Sequence, residues 1–269
     1  MDAEKPKKVT ATAIRSRKSR PEKLVAITAY DYTFAKLVDD LVDVILVGDS
    51  LGMVIQGNPN TLSVTLEDII YHTRAVSRAV HHSHLVADMP FMSYQTGERE
   101  AIRNAGRLIS EGGAEAVKLE GGTTVAEIVQ KLVGFGIPVL GHIGLTPQSI
   151  HAFGGYKIQG KTERERDTIL QDAIALEDAG AYAIVLEGMP SDLAKSITER
   201  IRIPTIGIGA GPFCDGQVLV IQDLLGLNPD FKPRFVKTFT NLSENITGAV
   251  KEFAKEVREG VFPDENHSF

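Results

Sequence analysis

Short apolar runs that break off at an acidic residue recur along this chain, and that recurrence limits the folds open to it. Val44-Ile-Leu-Val runs into Gly48-Asp-Ser-Leu-Gly52. Leu85-Val-Ala runs into Asp88, Ala116-Val-Lys-Leu into Glu120, and Ala183-Ile-Val-Leu into Glu187. A short continuous apolar run bounded by turn residues reads as a strand buried on both faces. Between the runs, apolar residues fall at helical spacing, as in Leu66, Ile69, Ile70, Thr73, Val76 and Val80, or Val125, Ile128, Val129, Leu132 and Val133. Strands alternating with helices imply parallel βαβ units.

Further strands read at Leu24 to Ala29, Pro138 to His142, Pro204 to Ile208 and Val218 to Ile221, which brings the total to about eight. The expected fold class is therefore α/β, a single-domain (β/α)8 TIM barrel over 1–269; a doubly wound sheet is the runner-up. No composition break, internal repeat or low-complexity tract divides the chain. Residues 1–20 read as a polar, solvated leader, with Thr10 to Ile14 a possible short helix. Asp31 is placed to cap the helix Phe34 to Asp40, and Ser191 to cap a helix reaching Glu199. The stretches 49–64 and 151–161 read as long loops, the kind that serve as functional covers. A closing helix carries Leu242, Ile246, Ala249, Val250, Phe253 and Val257.

Composition narrows the function classes. Hydrophobic residues make up 43% and charged residues 24%, ordinary values for a globular chain able to bury a large core. The net charge of -6 argues against a nucleic-acid-binding surface. A single cysteine, Cys214, excludes an intramolecular disulfide and fits a reducing compartment. It reads as an inert small residue, with no basic group beside it to activate it. No apolar run in the first residues resembles a secretory signal, and none elsewhere is long enough to span a membrane. The expectation is a soluble, cytoplasmic protein with neither nucleic-acid nor membrane partner.

The chemistry sits at the strand exits. In a barrel every exit faces one rim, so Asp49, Asp88, Glu120 and Glu187 converge there. Converging carboxylates repel unless a positive charge lies among them, and a hard cation such as Mg2+, which takes oxygen ligands, is the natural answer. Spacing does not say which acids touch it. Lys118 stands two residues before Glu120, so both point to one face. Holding a substrate oxygen, forming a Schiff base and balancing neighbouring charge are all roles open to Lys118. His142 at its strand exit can be an acid, a base, a substrate donor or a structural group. Gly207-Ile-Gly-Ala-Gly211 reads as a tight turn with close backbone approach rather than a dinucleotide loop, and Asp215-Gly216 as a turn.

An ordered set of motifs runs through the same stretch. Thr28-Ala-Tyr-Asp31, Gly48-Asp-Ser-Leu-Gly52, Tyr71-His-Thr73, Ala87-Asp-Met-Pro-Phe91 and Val117-Lys-Leu-Glu-Gly-Gly122 come first. Gly141-His-Ile-Gly-Leu-Thr-Pro-Gln148, Gly154-Gly-Tyr-Lys157, Leu186-Glu187 and Ile206-Gly-Ile-Gly-Ala-Gly211 follow. From about Lys23 to Leu227 the chain resembles the ketopantoate hydroxymethyltransferase family. The resemblance implies a (β/α)8 barrel that binds Mg2+ and uses 5,10-methylenetetrahydrofolate to hydroxymethylate the keto acid 3-methyl-2-oxobutanoate, giving 2-dehydropantoate for pantothenate synthesis. It implies Asp49, Asp88 and Glu120 as the metal site and Asp49, Ser50, Asp88 and Lys118 as the keto acid site. It implies Glu187 as proton acceptor, and assembly as a homo-oligomer, a homodecamer in the family pattern. Two other classes stand against this reading. One is a Mg2+-dependent carbon–carbon lyase or phosphoenolpyruvate-type mutase, although no arginine stands in the strand-exit motifs to meet a phosphate. The other is a non-catalytic keto acid-binding barrel, which would have no need of Lys118, Glu120 and Glu187 together.

Overall fold

The apolar runs form eight strands: β1 (Leu24–Thr28), β2 (Val44–Val47), β3 (His84–Asp88), β4 (Ala116–Glu120), β5 (Val139–Gly144), β6 (Ala183–Glu187), β7 (Thr205–Ile208) and β8 (Gly216–Leu219). Each pairs in parallel with the next, and β8 pairs with β1 through Leu24↔Gly216 and Ala26↔Val218, so the sheet closes. The computed structural model describes residues 7–229 and 233–269, so the first six residues of the expected leader lie outside the described residues. The chain forms two compact units, Met1–Leu219, which holds the barrel, and Val220–Phe269. Among the described residues no helix is long and apolar enough to cross a membrane.

Helices α1 (Ala11–Arg15), α2 (Tyr32–Val38), α3 (Leu51–Val54), α4 (Leu66–Ser77), α5 (Glu98–Ser110), α6 (Ala126–Gly134), α7 (Ile150–Phe153), α8 (Glu163–Asp178) and α9 (Ser191–Arg200) belong to the first unit. Asp31 caps α2 as its sequence position implies, accepting from the Phe34 N–H at 2.9 Å. Thr65 and Asp68 form a reciprocal capping box at α4, and Thr162 and Glu165 another at α8.

Strand parity positions the site. Leu24, Ala26, Val44, Leu46, Val86, Ala116, Leu140, Ala183, Val185, Ile206 and Val218 pack together in one buried cluster. Side chains two apart on a strand share a face. Continuing those positions toward the strand exits gives Asp88, Lys118, Glu120, His142 and Glu187. The polar groups are therefore the upper layer of the same stack whose lower layers are aliphatic.

Several elements differ from expectation. The expected loop 49–64 contains α3, and the loop 151–161 begins within α7. Both helices are four residues long, too short to show a period. Ser191 is the first residue of α9 rather than its cap, and Pro190 precedes it with no side-chain cap bond. The last strand is Gly216–Leu219 and not Val218 to Ile221, because Ile221 starts α10 (Ile221–Leu225) in the second unit. The barrel closes where Gly216 passes β1: a Cβ there would lie 2.6 Å from the Leu24 carbonyl oxygen. Asp215 is more than a turn residue. It is buried, its carboxylate accepts from the N–H groups of Ser19 and Thr205, and it pairs with Lys18 at 2.8 Å. In the second unit, α11 (Leu242–Glu259) has the expected register, yet Ile246, Val250, Phe253 and Val257 remain about half exposed, at 48–59%.

The largest correction concerns the leader. Ile14, on α1, is fully buried and belongs to the interior cluster with Leu24, Val44 and Val86. Lys8 ties the segment down through the Ser83 carbonyl and Glu115. This stretch is polar because one face meets water, while Ile14 fills the base of the barrel and Val9 packs against the same cluster. Ile14→Ala should therefore cost about 2–5 kcal/mol of unfolding free energy in a urea titration. A loss near zero would show that α1 is not part of the cooperative barrel unit.

Candidate functional site

Asp49 leaves β2 just after Gly48, where the chain turns into α3. Its backbone N–H donates to Asp88 Oδ2 at 2.9 Å, which locks the exits of β2 and β3 together. A Cβ on Gly48 would fall 2.7 Å from Ser50 Oγ, so only glycine leaves the Ser50 hydroxyl where it is. That hydroxyl shares a hydrogen bond with Tyr30 OH at 2.8 Å.

Lys118 Nζ lies 3.1 Å from Asp88 Oδ1, 4.0 Å from Glu120 Oε1 and 3.2 Å from His142 Nδ1. His142 Nδ1 stands 3.5 Å from Glu120 Oε1, and its Nε2 stands 3.1 Å from Glu187 Oε2. All four acids expected at the rim thus fall in one cluster, with Lys118 at its centre and Glu187 reached through His142. The Glu187 side chain is 18% exposed against 3% for Glu120, so Glu187 is the acid that faces the mouth.

The electrostatics follow from burial and like charge. Burial, with Asp88 and Glu120 nearby, holds the Asp49 carboxyl well above the usual carboxylate range. Burial also raises Asp88, although Lys118 works against it. Glu120 goes down despite burial, because His142 and Lys118 face it. Burial works to lower Lys118, but the charges of Asp88, Glu120 and Asp49 outweigh it and raise the ammonium, which stays protonated. Burial and the Lys118 charge lower His142, yet Glu120 and Glu187 prevail and push it up to about 9.

The cluster is short of positive charge: three buried carboxylates share one lysine and one histidine. Asp88 Oδ1 and Glu120 Oε1 are buried, and what faces them is the Lys118 ammonium and, for Glu120, the His142 ring. That donor set suits a hard divalent cation. No group of three such side chains is drawn into a ready-made cage among the described residues. A closed cage is not required of Mg2+, which keeps several waters and substrate oxygens beside its carboxylates, so each carboxylate reaches it directly or through a water.

The structure also brings in residues that motif reading left without a role. Gln148 and Tyr94 are buried and bonded to Asp49 and Glu120, and Tyr30 supports Ser50. Tyr156 stands at the mouth, its hydroxyl 3.3 Å from Met53 on α3. Burial, with the Glu187, Asp49 and Glu120 charges, raises that hydroxyl. Cys214 is buried and its thiol raised by that burial, in keeping with an inert residue.

The family model for ketopantoate hydroxymethyltransferase matches residues 8–265. The chain belongs to the ketopantoate hydroxymethyltransferase family. Among its curated relatives, the 3-methyl-2-oxobutanoate hydroxymethyltransferase of Pelobacter propionicus is 57% identical over 264 residues, covering 98% of each chain. The enzyme of that name from Syntrophus aciditrophicus is 54% identical over 266 residues, again covering 98% of each. Similarity of fold reaches further than this family. A phosphonopyruvate hydrolase in complex with oxalate and Mg2+ superposes with a TM-score of 0.61 at 14% identity, over 96% of this chain and 93% of that one. At that identity the likeness is one of barrel architecture.

Proposed function

We propose that this member of the family transfers a hydroxymethyl group from 5,10-methylenetetrahydrofolate to 3-methyl-2-oxobutanoate, giving 2-dehydropantoate, with Asp49, Asp88 and Glu120 holding Mg2+. The observation that carries the reading is the division among the acids. Three lie buried around Lys118, while Glu187 stands apart, more exposed, behind His142. The fold neighbour that holds oxalate and Mg2+ supports such a pairing on a barrel of this shape. The proposal includes homo-oligomeric assembly, as a homodecamer.

When bound, Mg2+ supplies Lewis-acid stabilisation of the charge that develops on the keto oxygen as the substrate enolises, worth several kcal/mol. The chain supplies the rest. Asp49 and Ser50 at the exit of β2, with Asp88 and Lys118, bind the keto acid. Lys118 presents a fixed ammonium that cannot move away, because Asp88 and Glu120 hold it from two sides. Glu187 takes the proton from carbon 3, and His142, 3.1 Å from its carboxylate, orients it. Carbon 3 then bonds to the methylene carbon as that carbon's two bonds to folate nitrogens break. Water supplies the hydroxyl oxygen, and the water proton and the one taken from carbon 3 go to the nitrogens, releasing tetrahydrofolate.

Incubation with 3-methyl-2-oxobutanoate and Mg2+ in heavy water tests the first step without folate. The carbon 3 proton should disappear from the NMR spectrum at a rate proportional to enzyme. Absence of exchange with folded, Mg2+-loaded protein would overturn the enolisation reading.

A further inference from the structure

The geometry points to Gln148 as the positioning residue that sets two of the proposed metal-binding carboxylates, an inference resting on the metal assignment proposed above. Gln148 lies in the short turn after β5, in the segment Pro147–Ser149, with its side chain buried. Its amide nitrogen donates to Asp49 Oδ2 at 2.9 Å and to the Met89 carbonyl at 3.0 Å. Its amide oxygen faces Tyr94 OH at 2.8 Å and accepts from Gln95 Nε2 at 3.1 Å. Its backbone N–H donates to Glu120 Oε2 at 2.9 Å.

A side-chain amide offers two donors and two acceptor sites, and here both donors are used and both acceptor sites have partners. The orientation is fixed by chemistry. Turning the amide over would set its oxygen against a carboxylate and a carbonyl, which can only accept. Tyr94 OH has one proton for two neighbours, Gln148 Oε1 and the Glu120 carbonyl at 3.0 Å, and it accepts from the Glu120 N–H at 3.2 Å. Gln95 completes the amide oxygen whichever way that proton points.

A glutamine that served packing alone would finish on backbone partners. This one gives a side-chain donor to the acid after β2 and its backbone donor to the acid ending β4, while also holding the Met89 carbonyl that follows β3. Three neighbouring strand exits are thereby set by one residue from the β5 side. Occupying Oε2 of Glu120 leaves Oε1 turned toward Lys118 and His142. Loss of this anchor lets Asp49 and Glu120 swing apart under their mutual repulsion, so the ligand oxygens must be ordered when a cation binds.

Mn2+ binding, read by electron paramagnetic resonance, tests this directly on the whole protein. Gln148→Met keeps the length of the side chain and removes the donors to Asp49 and Met89, while the backbone N–H to Glu120 remains. Removing an outer-shell partner of metal ligands typically weakens metal binding about 10–100-fold. In the folded protein, Gln148→Met should weaken Mn2+ binding by at least that lower figure, in addition to any fall in thermal midpoint from the lost buried bonds. Carbon 3 exchange measured at saturating Mn2+ should recover much of what it loses at low Mn2+. A purely structural role would lower the midpoint and leave the Mn2+ affinity of the folded fraction unchanged, and that result would overturn the assignment. Should Gln148→Met not fold, Gln148→Asn, whose amide is too short to reach Asp49, is read instead. Weaker Mn2+ binding by the folded Gln148→Asn protein supports the anchor, and unchanged binding overturns it. Failure of the functional reading shows separately, as Gln148-dependent Mn2+ binding in a parent protein that exchanges no carbon 3 proton.

Discussion

Glu187→Gln should lose carbon 3 exchange almost completely while still binding Mn2+ and 3-methyl-2-oxobutanoate. A positioned general base is worth about 10²–10⁴-fold in rate, and the amide has no basic oxygen to replace it. The substitution preserves volume, and Glu187 lies outside the three carboxylates assigned to metal. Its contact with His142 Nε2 at 3.1 Å can persist, because the amide oxygen still accepts from a protonated imidazole. The comparison is a heavy-water exchange rate for parent and variant at saturating Mg2+ and keto acid. Exchange at the parent's rate would move the proton-accepting role to another group. His142 would be the nearest, held between Glu120 and Glu187.

The barrel was legible because its parts are local. Short apolar runs, most of them followed by turn residues and a helix-period stretch, specify parallel strands before any contact is known. Parity then placed Lys118 and Glu120 on one face, and the structure continues that face below them as the aliphatic interior of Ala116 and Leu140. Gln148 was not legible as a site residue. It is a neutral residue in a short turn, and its partners Asp49, Met89 and Glu120 are 99, 59 and 28 residues away in sequence. Only closure of the sheet brings them together.

Ile14 failed for a related reason. Ile14 and Val9, five residues apart in a polar stretch, show no period to betray them, and their burial depends on an apolar barrel base that the rest of the chain supplies. The helix α11 shows the limit from the other side. Its period is plain in sequence, but a period states which residues share a face and not whether that face is covered. Of the site's chemistry, the acids were readable from the ends of strands. The bridge through His142 from Glu120 to Glu187 needed the register Glu120↔His142 and the stagger that follows it.

The same crowding of acids makes Lys118 a residue of stability as well as chemistry. Lys118→Met retains most of the aliphatic stem and removes the ammonium that faces Asp88 and Glu120. Removing one partner of a buried pair leaves an uncompensated charge, a loss of about 3–5 kcal/mol. We expect a urea-unfolding deficit of that size at neutral pH in the presence of a chelator. The sign of its pH dependence is fixed. Burial and mutual repulsion already raise Asp49 and Asp88 in the folded parent, and the variant raises them further. A carboxyl raised on folding favours the native state below its unfolded value and loses that advantage as pH rises through the folded one. The deficit should therefore shrink as the pH falls toward the carboxylate range and widen toward neutrality. Saturating Mg2+ should narrow it at neutral pH, because without the competing ammonium the carboxylates bind the cation more tightly in the variant than in the parent, and tighter native-state binding stabilises more. A variant as stable as the parent in chelator at neutral pH would mean that the carboxylates balance their charge without Lys118. The lysine would then be held in place for substrate alone.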